Sequence, residues 1–509
     1  MAILGSIIKK GIELRGLLKQ DELNTPIHYQ RRVLKKLLRK SQYTLFGQTY
    51  VFTNILRSRH FVNSFRELVP IHDYTSIFAK WWNKSLHEED VCWPGKVRYF
   101  ALSSGTSDSS SKHIPVTRDM VKSIQKQSIR QIFTLRNYNV SEDTFQKGIL
   151  MLGGSTHLNR NGSYFEGDLS GITASKLPFW FQHFYKPGRR ISKETDWATK
   201  LEEITEMAPN WDIGIIVGVP AWIQLLLEKI IARYKLKTIH DMWPNLSLYV
   251  HGGVSFEPYK KSFEHLLAHP IKYIETYLAS EGFIAMQEAP DAEMRLNLNN
   301  GLFFEFIPYN EKNFTSDGEI IGKPQTLLIN EVKEGEEYAL LLSSNAGAWR
   351  YLIGDVIKFV NKKNCEIVII GRTKHYLSLC GEHLSVDNMN KAIEMVSDEL
   401  NISILEYTVA GIPDGGMFAH HWWIGTHDKA DAEVLKLRLD EKLKILNDDY
   451  RVERTSALRE IYVDVVPVEV FYSWMETKGK VGAQNKFPRV MKKKMLEDWI
   501  NYNKQYVTQ

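Results

Sequence analysis

Cysteine is nearly missing from this chain: Cys92, Cys365 and Cys380 are the only three in 509 residues. An odd, scattered set excludes a disulfide scaffold, and none of the spacings suits a zinc site. A reduced, cytoplasmic setting is expected. Long apolar runs are missing too, and nothing approaches the ~18 residues a membrane helix needs. The apolar stretch Met1–Gln20 is broken by basic residues and followed by no small-residue cleavage site, so it reads as a packed helix rather than a leader. Neither sign of charge dominates: 65 Lys and Arg against 60 Asp and Glu leave a formal +5. That balance permits an anionic ligand and gives no support to a nucleic-acid partner, so the basic segment His28–Lys40 reads as the solvated face of a helix. Repeats are absent, and the only low-complexity tract is the serine cluster within 107–111. The Walker pattern G-x-x-x-x-G-K-[ST] is not matched.

What remains is a long chain of ordinary globular composition, 43% hydrophobic and 25% charged, too long for one core and therefore two domains or more. Residues 1–80 read as helical. From residue 97 to about 370, continuous apolar runs alternate with helical ones, among them Gly148–Gly154, Trp211–Trp222, Asn245–Gly253, Tyr273–Gly282, Phe303–Pro308 and Tyr338–Ser344. Runs of this kind suit strands buried on both faces, hence an α/β layered fold. After Glu366–Ser385 a new alternation begins, with a helix over Val386–Leu400, strands over Leu405–Gly411 and Phe418–Gly425, a helix over Ala430–Leu446 and a strand over Ile461–Val466. The expected division is residues 1–371 and 372–509.

The stretch FALSSGTSDSSSKHIPVT (Phe100–Thr117) carries the strongest functional signal. A strand-like run breaks into Ser104-Gly105-Thr106-Ser107, Lys112 closes the loop, and a helix follows from Asp119. Backbone N–H groups and hydroxyls in such a loop can surround an anion while a lysine offsets its charge. In α/β sheets ligands gather beyond the carboxyl ends of strands. Ser280-Glu281 ends an apolar run there, and a carboxylate in that place can share Mg²⁺ with phosphate oxygens. Asp355 interrupts the apolar segment Trp349–Phe359 and has the chemistry to accept both hydroxyls of a ribose; a Gly-Asp turn between two strands is the plainer reading. Arg372, at the proposed domain junction, is a second candidate for ribose or phosphate, with Arg372–His375 as a hinge. Lys486 lies in a glycine-bearing loop of a basic tail that by itself reads as a solvated end. His420, His421 and His427 lack a convincing third ligand and read as structural. Trp180, Phe181 and Trp222 read as core, with some of them free to line an apolar pocket.

The ordered set SSGTS…K-x-I-P-V-T, Tyr277-x-x-Ser280-Glu281-Gly282, Arg350-Tyr351…Gly354-Asp355, GRT…GEH and Lys486-Phe487-Pro488-Arg489 resembles the auxin-responsive Gretchen Hagen acyl-acid amido synthetases, members of the acyl-adenylate-forming superfamily, along nearly the whole chain. The resemblance implies a large N-terminal domain with ATP and acyl sites and a small, mobile α+β C-terminal domain. It implies that Ser104 to Ser107 cradle phosphates, that Thr276, Tyr277, Ser280 and Glu281 flank nucleotide and Mg²⁺, that Asp355 holds the ribose, and that Lys486 reaches into the site. The implied reaction is ATP-dependent adenylation of a carboxylic acid, followed by transfer to the amine of an amino acid with loss of AMP. A monomer is expected. The alternatives are a thioester-forming ligase using coenzyme A, a nucleotide- or acyl-binding protein without catalysis, and a nucleic-acid binder. The last would show a steep salt dependence.

Overall fold

The computed structural model describes residues 25–103, 112–177, 179–253, 256–315, 318–373, 377, 384–414, 417–447, 450–451, 454, 458–479, 487–491 and 493–507. The expected helix at Met1–Gln20, the loop Ser104-Gly105-Thr106-Ser107, Lys374–His375 of the proposed hinge, Cys380 and Lys486 lie outside them, as does the side chain of Trp180.

The first element of the described residues is α1 (Pro26–Ser41), which enters on a proline at its first turn and buries Val33, Leu34, Leu37 and Leu38 while its lysines and arginines face outward. Burying each such leucine contributes roughly 1.5–3 kcal/mol. Thr44 caps a short helix by accepting from the Gly47 amide.

β1 (Tyr99–Ser103) and β2 (Lys112–Val116) pair antiparallel, with Ser103 opposite Lys112. Thr117 caps α2 (Arg118–Thr134) through its hydroxyl, which accepts from Met120 N. β3 (Gly148–Leu152) enters the main sheet, whereas β4 (Asn159–Asn161) and β5 (Tyr164–Gly167) complete a side sheet of order β2-β1-β5-β4. Next come α3 (Leu169–Ala174), β6 (Tyr185–Lys186), α4 (Trp197–Met207), β7 (Ile213–Gly218), α5 (Pro220–Tyr234), β8 (Leu248–Gly252), α6 (Glu257–His265) and β9 (Lys272–Ala279). Each strand of the series β6-β3-β7-β8-β9 is parallel to its neighbours.

Beyond β9 the strand direction alternates. β10 (Gly282–Gln287), β11 (Met294–Leu296), β12 (Leu302–Pro308), β13 (Glu337–Ser344), β14 (Tyr351–Asn361) and β15 (Glu366–Arg372) extend the sheet antiparallel. The eleven strands run β12-β13-β14-β15-β11-β10-β9-β8-β7-β3-β6. The continuous apolar runs are thus buried strands as expected, but those at Phe303–Pro308 and Tyr338–Ser344 lie in the antiparallel part, where tight turns such as Ser280-Glu281 leave no room for a crossover helix. Even Glu305, in the middle of β12, is 1% exposed. Arg350, immediately before β14, meets both its carboxylate oxygens through Nε and Nη2 at 3.0 and 2.8 Å.

The C-terminal segment holds α7 (Val386–Leu400), β16 (Ile404–Asp414), β17 (Met417–Thr426), α8 (Ala432–Leu446), β18 (Leu458–Val466), α9 (Val468–Thr477), β19 (Val490–Met491) and α10 (Lys493–Val507). Its sheet, β18-β17-β16-β19, is covered by α7 and α8 on one side and by α9 and α10 on the other. Residues 493–507 of the basic tail are therefore a packed helix, with Trp499 fully buried. This segment meets the main sheet's helices at α6. Tyr259 donates to Glu406 Oε1 at 3.0 Å, Glu406 Oε2 accepts from Arg489 at 2.5 Å, and Lys261 reaches Asn401 at 2.9 Å.

Candidate active site

β9 stands at the seam where the main sheet changes from parallel to antiparallel, and its carboxyl end opens on a cavity of about 1850 Å³. Ala279 pairs with Gly282, so Ser280 and Glu281 are a two-residue hairpin turn. Gly282 takes φ +150°, and a Cβ there would press on Leu302. This tight reversal turns Glu281 inward, leaving it 8% exposed. The Tyr351 hydroxyl donates to its carboxylate. Burial pushes the Glu281 carboxyl up to about 7, the nearby Asp355 charge adds to the rise, and Arg372 and Lys112 act against it through space.

Asp355 sits in a bulge of β14, not in a turn between strands. The register slips between Ala339 and Leu341 of β13, and Gly354 takes φ +93°. The bulge aims the carboxylate along the sheet toward β9 and β15. Oδ1 receives Arg372 Nε at 2.8 Å from the cross-strand partner on β15, and Oδ2 receives the Tyr277 hydroxyl. Each oxygen keeps a further lone pair. Asp355 is 14% exposed and Arg372 40%, the latter opening on the cavity. Arg372 is accordingly held in place, unlike a free surface arginine.

Lys112 lines the cavity from β2, its ammonium 5.2 Å from the centre of the Tyr74 ring. Ser280 lines it from the turn. Thr276 also lines it, but its hydroxyl proton is engaged by His251 O at 2.9 Å. The described site residues Lys112, Thr276, Tyr277, Ser280, Glu281, Asp355 and Arg372 therefore surround one cavity.

Several residues here carried no sequence signal. Tyr351 stood in the quoted motif without a role, because a tyrosine in an apolar run reads as core. Arg350, beside it, points away from the cavity and carries Arg66 O and Val69 O at 2.7 Å as well as Glu305. His251 and Glu275 are register partners on β8 and β9 and both line the cavity. Burial lowers the His251 imidazole to about 4; burial, then the Glu293 and Glu257 charges, raise the Glu275 carboxyl to about 7. Phe181 lines the cavity, whereas Trp222 packs in the core against Trp197. His421 pairs with Asp464 at 2.9 Å and His427 with Glu469 at 3.5 Å. Among the described residues no group of three His, Cys, Asp or Glu could hold a metal by itself, and no helix is long and apolar enough to cross a membrane.

Three family models match this chain: the GH3 family N-terminal domain over residues 20–201, the central domain over 296–372 and the C-terminal domain over 387–495. A jasmonoyl–L-amino acid synthetase of Nicotiana attenuata is 30% identical over 212 residues, 39% of this chain and 35% of that protein. An indole-3-acetic acid-amido synthetase of Arabidopsis thaliana is 26% identical over 278 residues, 49% and 45% of the two chains. The chain thus spans less than half the length of these curated relatives. The structure of a GH3.15 acyl acid amido synthetase has the same fold, with a TM-score of 0.78 at 15% identity over 98% of this chain and 96% of that one. A 2-hydroxyisobutyryl-CoA ligase in its postadenylation state follows at 0.58 and 12%, over 94% and 91%.

Proposed function

Because the chain belongs to the GH3 family, we propose that it is an ATP-dependent ligase that adenylates a carboxylic acid and passes the acyl group to the amine of an amino acid, releasing pyrophosphate and AMP. The observation that carries the reading is the meeting of Lys112, Tyr277, Glu281, Asp355 and Arg372 around one cavity at the end of β9.

Each residue has a task in that reaction. A carboxylate is a poor acyl donor until its oxygen becomes part of a good leaving group, and attack on the α-phosphorus of ATP supplies one. Asp355 has acceptor capacity left for both ribose hydroxyls, and Arg372 fixes the carboxylate's orientation while placing positive charge beside the nucleotide. Lys112 and the loop Ser104-Gly105-Thr106-Ser107 offset phosphate charge. Glu281 offers a nearly buried carboxylate, fixed by one phenol, that faces the cavity. One carboxylate plus phosphate oxygens is an ordinary donor set for Mg²⁺, so the residues fit that ion, which when bound would draw charge from the phosphates. Lys486 would bring further positive charge to the two anions that meet in the transition state. Pyrophosphate then leaves, the amine attacks the acyl carbon, and AMP departs with the electron pair of the acyl–oxygen bond.

Residues 1–371 and 372–509 are the proposed domains, hinged at Arg372–His375, and the enzyme is proposed to work as a cytoplasmic monomer. Protease cutting near the hinge should change when a stable acyl-adenylate analogue is added; identical patterns would argue against a moving domain. The central test is ATP–pyrophosphate exchange over a panel of aromatic, indole-type and fatty acids, with no amine present. No exchange from protein that binds ATP would overturn the adenylation reading. AMP release that depends on coenzyme A in place of an amino acid would move the chain to the thioester-forming ligases.

A further inference from the structure

Lys200 is a buried charge that this reaction leaves without a use. It lies in the first turn of α4, is 3% exposed, and forms part of the wall of the same cavity. Three N–H donors are available on its ammonium. Among the described residues it has one acceptor, Gly153 O at 3.3 Å, and no ion pair. The Trp197 ring, 5.7 Å away, supplies a weak cation–π contact. Asp168 and Glu194 attract it through space without forming an ion pair, and Asp168 Oδ1 accepts from Ser170 N and Ser170 Oγ, both at 2.6 Å. A cation in a helix's first turn also faces the positive end of the helix dipole. The fold therefore holds an ammonium where desolvation and the dipole disfavour it, with two donors unused beside an open cavity.

The wall beside Lys200 is made by a turn packed closely on α3. The turn after β3 consists of Gly153 and Gly154. A Cβ on Gly153 would strike Ser170 Oγ, and one on Gly154 would overlap the Asp168 side chain. Gly154 N donates to Ser170 Oγ at 2.8 Å, which fixes the turn against α3. The end of β3 is three strand spacings from the end of β9, or roughly 14 Å. Between them the cavity wall is mainly apolar, with Met151, Val217, Val219 and Val250 contributing.

We infer that Lys200 is the anchor for a second carboxylate or a carbonyl oxygen at the far end of the acyl substrate, so that the substrate is an acid with a hydrocarbon body of about eight to twelve carbons and a polar acceptor opposite the carboxylate that is activated. This rests on the adenylation reading for the position of the reacting end. The acceptor amino acid also carries a carboxylate, but its amine must meet the acyl carbon near β9, and that carboxylate is separated from the amine by a single carbon. The span to Lys200 suits the acid.

The test compares decanedioate with decanoate, by calorimetric binding and by pyrophosphate exchange, in the parent and in Lys200→Met and Lys200→Arg. Melting temperatures establish that each variant is folded. The parent should bind the diacid at least about tenfold more tightly, the scale of one charge-assisted hydrogen bond. Lys200→Met should abolish that preference with decanoate unchanged, and Lys200→Arg should restore part of it. Equal effects on both acids, or no preference in the parent, would make Lys200 a packing residue and overturn the inference. A loss confined to the KM of the amino acid would overturn it as well, moving the anion to the acceptor. Binding is read without turnover. Hence diacid binding that depends on Lys200 without any exchange would retain the anchor and reject adenylation, whereas exchange with no dependence on Lys200 would do the reverse.

Discussion

Replacing Arg350 by methionine should destabilise the fold by about 3 kcal/mol and leave AMP affinity within about twofold. The guanidinium is 3% exposed. Nε and Nη2 bind the two Glu305 oxygens at 3.0 and 2.8 Å, and Nη1 binds Arg66 O and Val69 O, both at 2.7 Å. Removing one member of a buried pair costs about 3–5 kcal/mol, chiefly because the other charge is stranded. The lower end applies here, since Glu305 keeps the Thr326 hydroxyl at 2.6 Å and has Arg66 Nε at 3.8 Å. The strain of φ +43° at position 350 is common to arginine and methionine and cancels. Adding Glu305→Gln removes the stranded charge, so the double variant should regain about 1 kcal/mol or more over the single. Urea unfolding followed by circular dichroism measures both, with AMP calorimetry on the folded proteins. The reasoning fails if the single variant matches the parent, if the double variant is no better than the single, or if folded Arg350→Met no longer binds AMP. The last result would transfer Arg350 to the nucleotide site despite its direction.

Asp355→Ala should weaken AMP at least about tenfold by deleting a charged acceptor; unchanged affinity by calorimetry removes Asp355 from the ribose. Lys486→Ala should slow pyrophosphate exchange about 10²–10³-fold, the usual scale for one preorganised charge. Amine transfer from supplied acyl-adenylate should change little, and Lys493→Ala is the control; equal loss in both steps means that Lys486 holds the nucleotide or the fold. Glu275→Gln tests a pH effect. With its carboxyl raised to about 7, folded Glu275 keeps a proton between pH 4.5 and 7 that the unfolded chain has lost, so it stabilises at low pH and that stability is lost as pH rises. The parent should therefore lose about 1–3 kcal/mol more than Glu275→Gln across that window. Urea midpoints that move in parallel for the two proteins would refute it.

Local patterns carried the elements that depend on neighbours in the chain. The helix Val386–Leu400 is delimited by the Ser385 capping box and the αL residue Asn401, signals that lie within a few positions of its ends. The end of the strand at Ser280-Glu281 was likewise legible, because two polar residues and a glycine follow an apolar run there. Pairings between distant segments were not. Arg350 and Glu305 are 45 positions apart, and nothing in either neighbourhood names the other. The bulge at Gly354-Asp355 depends on register against β13, which no single strand encodes. Lys200 looks like any charge in an amphipathic helix, and only the Gly153-Gly154 turn, reached through the sheet, shows that it faces inward.

The change of strand direction at β9 has a consequence for how such a protein can diversify. Tyr277, Glu281, Asp355 and Arg372 sit on the antiparallel side and at the seam, on or beside β9, β14 and β15, whereas Lys200 and the apolar wall belong to the parallel side, near β3, β7 and β8. The two sets share one sheet but are supplied by separate stretches of chain. On the proposed reaction, changes near β3 would retune which acid is accepted without disturbing Asp355 or Arg372, and drift around β14 would leave the proposed berth of the acid unaltered. Relatives with this layout can inherit the activating half intact while the other half adapts to a new chemical diet.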